Sequence, residues 1–246
     1  MSDTADVISR IQRIQDLLND PPNREVVLDG LSAATGRIAL PRARPDIPVG
    51  LGQVLAARRS HYRFHADPPD ARELSSLLRW ALGPQRTVRL PTGAEHRMWM
   101  APSAGGLPSL AVYVAVRPGG DLPGGVFRHE ADDDPDVQHL ETLWSGDPTA
   151  ALRSVLAQPD FAERTPITLL LVARLDITLV KYPIRHYRTL HVDSGIAVQN
   201  LYLVATALDL AGCAVTGFDD HLTTQLLRLP DTMFPTALFP LGRRPA

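Results

Sequence analysis

Three observations predict an α+β fold for this sequence, with a mixed sheet, flanking helices and one long buried helix at its centre. First, residues 110–116 (LAVYVAV) and 167–175 (ITLLLVARL) are apolar, β-branched runs between breakers, the pattern of central strands. Second, Leu190, Ile196, Val198, Leu201, Val204, Ala205, Leu208 and Leu210 fall on nearly every face of a helix over 189–211 that Gly212 stops. Such a helix is expected to be buried most of the way round. Third, helix 148–158, strand 167–175, helix 189–211, a short strand at 213–218 (CAVTGF) and a last strand near 236–242 complete the alternation.

The remaining elements follow in order. Val7, Ile8, Ile11, Ile14 and Leu18 keep helical spacing behind a cap at Asp3 or Thr4, so an amphipathic first helix should end near the PPN at 21–23. Residues 41–48, rich in Pro and Arg, read as an extended connector, and 49–60 resumes helical character. The expected organisation is an N-terminal arm and connector over 1–50 and one domain over 51–246. Asp70 caps a helix with Leu74, Leu77, Leu78 and Ala81 on one face and Gly83 as its stop. Residues 125–130 alternate and could pair beside the central strands. The acidic run at 132–136 reads as a solvated turn, because clustered carboxylates repel one another.

The charge balance of 25 basic and 27 acidic residues leaves no electrostatic footprint for nucleic acid or an anionic membrane. Cys213, alone in its residue type, cannot form an intrachain disulfide and reads as a small core residue. With no apolar run near the ~20 residues of a membrane span, and no basic-then-apolar start, a cytoplasmic location is expected. No dinucleotide fingerprint or P-loop occurs, and no histidine spacing implies a metal; His61 and His65 read as incidental.

Four stretches could carry chemistry. Arg58, Arg59 and Arg63 flank the Ser60 hydroxyl, and guanidinium groups match phosphate oxygens, although a basic surface turn reads the same way. In APSAGGLPS (101–109), glycines and serines before a strand would let backbone amides approach a ligand; a plain turn is the alternative. Lys181, Tyr182, Arg185, His186, Tyr187 and Arg188 crowd between two apolar runs. Lys181 with Tyr182 could move a proton, or Lys181 could be a lysine snorkelling at a strand end. Asp193, Gln199 and Asn200 are polar exceptions on the central helix and need partners, and Gly217 offers close backbone approach.

In sequence order, RRS, PSAGG, KY with Arg185, Tyr187 and Arg188 behind it, SG, QNLYL and GFDD resemble the SagB/ThcOx-type branch of the FMN-dependent nitroreductase superfamily, over roughly 54–244. The resemblance implies a nitroreductase-like three-layer fold, a homodimer and FMN at each subunit boundary. It puts Arg58, Arg59 and Ser60 at the flavin phosphate and ribityl side, with Arg243 or Arg244 assisting. It brings Ser103 and Gly105 to the flavin from the partner subunit, sets Gly217 and Phe218 beside the isoalloxazine, and adds Asn200 to the cofactor set. Lys181 and Tyr182 match the catalytic pair of azoline-oxidising members. The implied activity is FMN-dependent oxidation of peptide-borne thiazolines or oxazolines to thiazoles or oxazoles in ribosomal peptide natural-product biosynthesis. Its implied partners are a heterocycle-containing precursor peptide and a cyclodehydratase. An NAD(P)H-dependent flavin, nitro or ene reductase and a non-catalytic scaffold subunit are the rival readings. The chain departs from the branch pattern at Tyr62, where a basic residue is usual, at Asp193 for glutamate and at Ile196 for histidine, and it lacks the aromatic residue after Leu107.

Overall fold

The computed structural model describes residues 4–18 and 24–245, so the expected Asp3 cap and the PPN helix end lie outside the described residues. In chain order the elements are α1 (Thr4–Leu18), β1 (Leu31–Ala33), β2 (Arg37–Ala39), α2 (Leu51–Ala57), α3 (Ala71–Leu82), β3 (Pro84–Arg89) and β4 (Glu95–Trp99). A single 3₁₀ turn at Ala104–Gly106 precedes β5 (Leu110–Val116), β6 (Gly125–Ala131), β7 (Gln138–Gly146), α4 (Thr149–Val155) and α5 (Asp160–Arg164). The chain continues with β8 (Ile167–Arg174), α6 (Leu175–Thr178), α7 (His186–Ala207), β9 (Leu210–Gly212), α8 (Asp220–Leu227) and β10 (Met233–Arg243).

The strands of the main sheet run in the order β1-β7-β6-β5-β8-β10-β9, with β2 also on β7, and β3 pairs β4 in a separate hairpin. The α+β class stands. Within it, every pairing among these strands is antiparallel, where a mixed sheet is expected. Period-2 alternation in the central strands builds two cores. Val112, Val114, Leu169 and Leu171 pack with α3 and α7 on one face, whereas Ala111, Tyr113, Leu170 and Val172 pack with α4, α5 and α8 on the other. This makes three layers. A third cluster joins Val7 and Ile11 of α1 to Leu190 and Phe234, and β1 and β2 add edge strands to the same sheet.

Helix α3 begins where its cap is expected: the Asp70 carboxylate accepts from Glu73 N, and the Glu73 carboxylate accepts from Asp70 N. Three expectations around α7 need correction. The helix ends at Ala207 rather than 211, because Asp209 turns left-handed (φ 60) and sends Leu210–Gly212 into the sheet beside β10. Gly212 is therefore a strand residue, and a Cβ there would lie 2.4 Å from the Phe239 ring. Residues 213–218 form no strand, only isolated bridges at Val215 and Phe218. Finally, α7 is buried on one face only, through Leu190, Asp193, Ser194, Ala197, Leu201 and Ala205. The sheet and α3 cover that face, and among the described residues the opposite one is left uncovered, so Val192, Gly195 and Gln199 are exposed.

The acidic turn at 132–136 is not merely solvated. It gathers arginines from four elements or connectors, pairing Asp132 with Arg37, Asp133 with Arg97, Asp134 with Arg42, and Asp136 with Arg79 and Arg42. The helix expected over 148–158 is shorter, running as α4 from Thr149 to Val155, and a separate α5 begins at Asp160 after Pro159.

Candidate functional site

The first turn of α7, the loop before it and the glycine-rich 3₁₀ turn meet at one place. Gly105 sits at φ 65, a left-handed value that favours glycine, and a Cβ there would lie 2.4 Å from Tyr182 Oη and 2.8 Å from Lys181 Nζ. The turn thus rests directly on the Lys181 and Tyr182 side chains. Asp193, buried in α7, holds the turn: its carboxylate accepts from Ala104 N at 3.2 and 3.3 Å and from Ser109 Oγ at 2.8 Å. Ser103 closes the loop on itself by donating to Leu107 O at 2.6 Å. The Tyr182 ring stacks on His186 with centroids 4.4 Å apart, and Lys181 Nζ lies 5.4 Å from the Tyr182 centroid. Burial pushes His186 below the usual imidazole range, and the Asp193 charge opposes that shift.

A second group forms where α2 runs out against α7. The Arg58 guanidinium lies over the Tyr202 ring at 5.2 Å, and Ser60 Oγ bonds Tyr202 Oη at 2.9 Å. Tyr202 Oη also accepts from Ala214 N at 2.7 Å, which pins this turn to the helix. Arg59 is exposed and donates to Ala56 O and Arg58 O. Arg244 pairs with Asp209 at 3.2 Å while its Nε is buried without a partner. His61 is lowered by burial first and then by Arg244 and Arg59, so these cations share one neighbourhood.

The other sequence-selected residues lie elsewhere. Asn200 donates to Ala81 O and Met100 O at 3.0 and 3.1 Å, tying α7 to the end of α3. Arg243 is held by Glu73 at 2.7 Å and donates to Pro68 O, which fastens β10 to the α3 capping box. Gly217 O accepts from Ala157 N, and Phe218 bridges Leu156 at the end of α4. Tyr62 is exposed and Ile196 half-buried. Among the described residues, no hydrogen bond, ion pair or ring contact joins the Arg58–Arg244 group to the Lys181–Gly105 group. No helix among the described residues is long and apolar enough to cross a membrane, and no His, Cys, Asp and Glu grouping there could hold a metal.

Sequence reasoning missed His186 as a ring partner and Asp193 as the anchor of the glycine turn. The signal for Asp193 was its place as a polar exception on an apolar helix.

Residues 55–243 match the Nitroreductase family profile. A protein of Methanocaldococcus jannaschii named as a nitroreductase is 31% identical over 202 residues, which cover 81% of this chain and 94% of that protein. Among solved structures, the Escherichia coli microcin synthetase McbBCD complex with truncated pro-MccB17 bound contains a chain superposing with a TM-score of 0.67 at 17% identity, over 98% of this chain and 94% of that one. A nitroreductase from Desulfovibrio desulfuricans in complex with FMN superposes at 0.53 with 16% identity, over 80% of this chain and 88% of that one. With a profile match that runs from α2 to the end of β10, and a relative 31% identical over most of both chains, this chain belongs to the nitroreductase family.

Proposed function

We propose that this protein is an FMN-dependent dehydrogenase that oxidises peptide-borne thiazolines or oxazolines to the aromatic azoles. The observation that carries this reading is the contact of Gly105 with Lys181 and Tyr182, which sets two proton-transfer side chains against a backbone turn. The likeness to a chain of a microcin synthetase complex with a pro-peptide bound supports a peptide substrate and a cyclodehydratase partner.

The residues present fit the cofactor. Arg58, Arg59, Ser60 and Arg244, with its unpartnered Nε, form a donor set suited to the phosphate, and Arg243 is already spent on Glu73. When bound, FMN supplies the hydride acceptor. Lys181 or Tyr182 removes the ring Cα proton, and aromatisation of the product drives the reaction. Asp193 keeps the turn in place while His186 supports the Tyr182 ring.

The donor set and the Lys–Tyr pair lie apart within one subunit, and the outer face of α7, with Val192 56% exposed, is uncovered. A homodimer meeting on α7 would cover that face and complete each site with groups from both chains.

The test uses protein purified without added flavin. A yellow absorbance with released FMN, and azole formation on a heterocyclised peptide that falls on the order of 10²-fold in Lys181→Ala and Tyr182→Phe with flavin retained, are expected. Rapid flavin reduction by NAD(P)H without azole formation would support a reductase instead, and colourless protein a scaffold.

A further inference from the structure

We propose that the first turn of α7 is an anion site that takes a carboxylate of the substrate beside the ring reacting at Tyr182. This rests on the reading that substrate reaches Lys181 and Tyr182. A pocket lies between Ala104 of the glycine turn and residues 182–189, with Tyr182, Arg185, His186, Arg188 and Thr189 on its wall.

Three observations point to an anion there. The first is uncompensated charge. Arg185 and Arg188, with Lys181 beside them, are exposed, and no acidic side chain among the described residues pairs with any of the three. Elsewhere in the chain Arg79, Arg153, Arg174 and Arg244 all find carboxylates.

The second is where those cations stand. Helix α7 is 22 residues long, its N-cap Arg185 makes no side-chain cap bond, and its first turn holds no acid. The first N–H groups are already spent, His186, Tyr187 and Arg188 donating to the carbonyls of Pro183, Ile184 and Arg185. The positive end of a helix still favours anions, so a first turn that carries arginines and no acid works against its own stability until an anion arrives. Local rules broken in this way mark sites.

The third is independent of charge. His186 is only 4% exposed, and its Nε2 is buried with no partner although the residue lines the pocket. Buried polar atoms without partners are a small minority in folded proteins.

A carboxylate meets all three demands. It can accept a forked pair from a guanidinium, a third bond from His186 Nε2–H, and the field of the helix end. The cofactor phosphate has its own donors around Tyr202, and no bond connects that group with this one. An acidic side chain and a peptide C-terminus present the same chemistry, so the probes must separate them.

The experiment titrates flavin-loaded protein with N-acetylglycine, with N-acetylglutamate α-amide and with inorganic phosphate, following the His186 imidazole resonance, assigned through His186→Asn, and the heat of binding. Saturable binding of at least one carboxylate, weaker at higher salt, is expected, and which one binds assigns the source. The Kd should rise about tenfold or more in Arg185→Gln/Arg188→Gln and stay unchanged in Arg164→Gln. No response to either carboxylate, a response to phosphate alone, undiminished binding in the double variant, or loss of flavin as its effect would each overturn the proposal. Turnover unharmed by Tyr182→Phe with carboxylate binding intact would instead remove the catalytic reading and, with it, the placing of the carboxylate beside a reacting ring.

Discussion

At the scale of single residues, the site depends on Gly105 and Asp193. A methyl at Gly105 would occupy space held by Tyr182 Oη and Lys181 Nζ at a backbone angle that disfavours it, so either the turn or the pair must move. Gly105→Ala should fold and bind flavin but lose about tenfold or more in turnover, as measured by azole formation, since small displacements of reacting groups are costly. Asp193→Asn replaces an acceptor of backbone N–H and hydroxyl bonds with a group whose NH₂ opposes donors. It should cost about 2 kcal/mol in denaturant unfolding, the scale of a buried hydrogen-bonded charge. For Arg59, exposed beside Arg244, reversal to Glu should empty the flavin site, read by absorbance; full occupancy would return Arg59 to an ordinary surface role. The motif residues at Lys181, Tyr182 and Gly105 were legible as candidates because their types are chemically specific. That they touch was not, since Gly105 and Lys181 lie 76 positions apart in the chain.

At the scale of elements, periodicity and caps located those whose sequence states its own burial. Helix α3, with its Asp70–Glu73 box, and strands β5, β6 and β8 fall where the pattern puts them. Strand β7 and the β3–β4 hairpin were missed because their polar residues find partners only in the folded chain. Gln138, buried in β7, donates to Ser75 O at 3.0 Å, and His129 of β6 bonds Gln138 Oε1 at 3.0 Å. That buried network has a pH signature. Burial lowers His129 to about 4, against the opposing bond to Gln138 and with a small further push from His139. The folded state thus keeps His129 neutral while the unfolded chain protonates near 6.5. Stability is full above about pH 6.5 and falls as pH drops toward 4, by about 3 kcal/mol from this group. Thermal unfolding across that range should show the loss, and His129→Leu should flatten it. Arg243 binds one element to another: Arg243→Met should lower stability on the order of 2 kcal/mol by leaving buried Glu73 the longer 4.0 Å contact with Arg44 as its only ion pair, while flavin stays bound.

At the scale of the whole molecule, α1 fills a cluster with Leu190 and Phe234 of its own chain, and the outer face of α7 is left uncovered among the described residues. Sedimentation of the flavin-loaded protein should give a dimer, and a charge placed on that face by Val192→Glu should shift it toward monomer; a flavin-loaded monomer at micromolar concentration would refute shared sites. Removing residues 1–18 should lower stability by about 3 kcal/mol, from two lost apolar side chains, Val7 and Ile11. By itself the sequence determined the α+β class, the central strands, the long helix and the residue types able to hold a phosphate or move a proton, because hydrophobic period, capping chemistry and donor type are local properties. Only the tertiary structure decided that the sheet is antiparallel throughout, that α7 leaves one face bare, that Asp193 carries the glycine turn, and that Arg243 and Asn200 hold the fold together. Those depend on which distant partner each group meets, and a polar side chain takes its role from that partner.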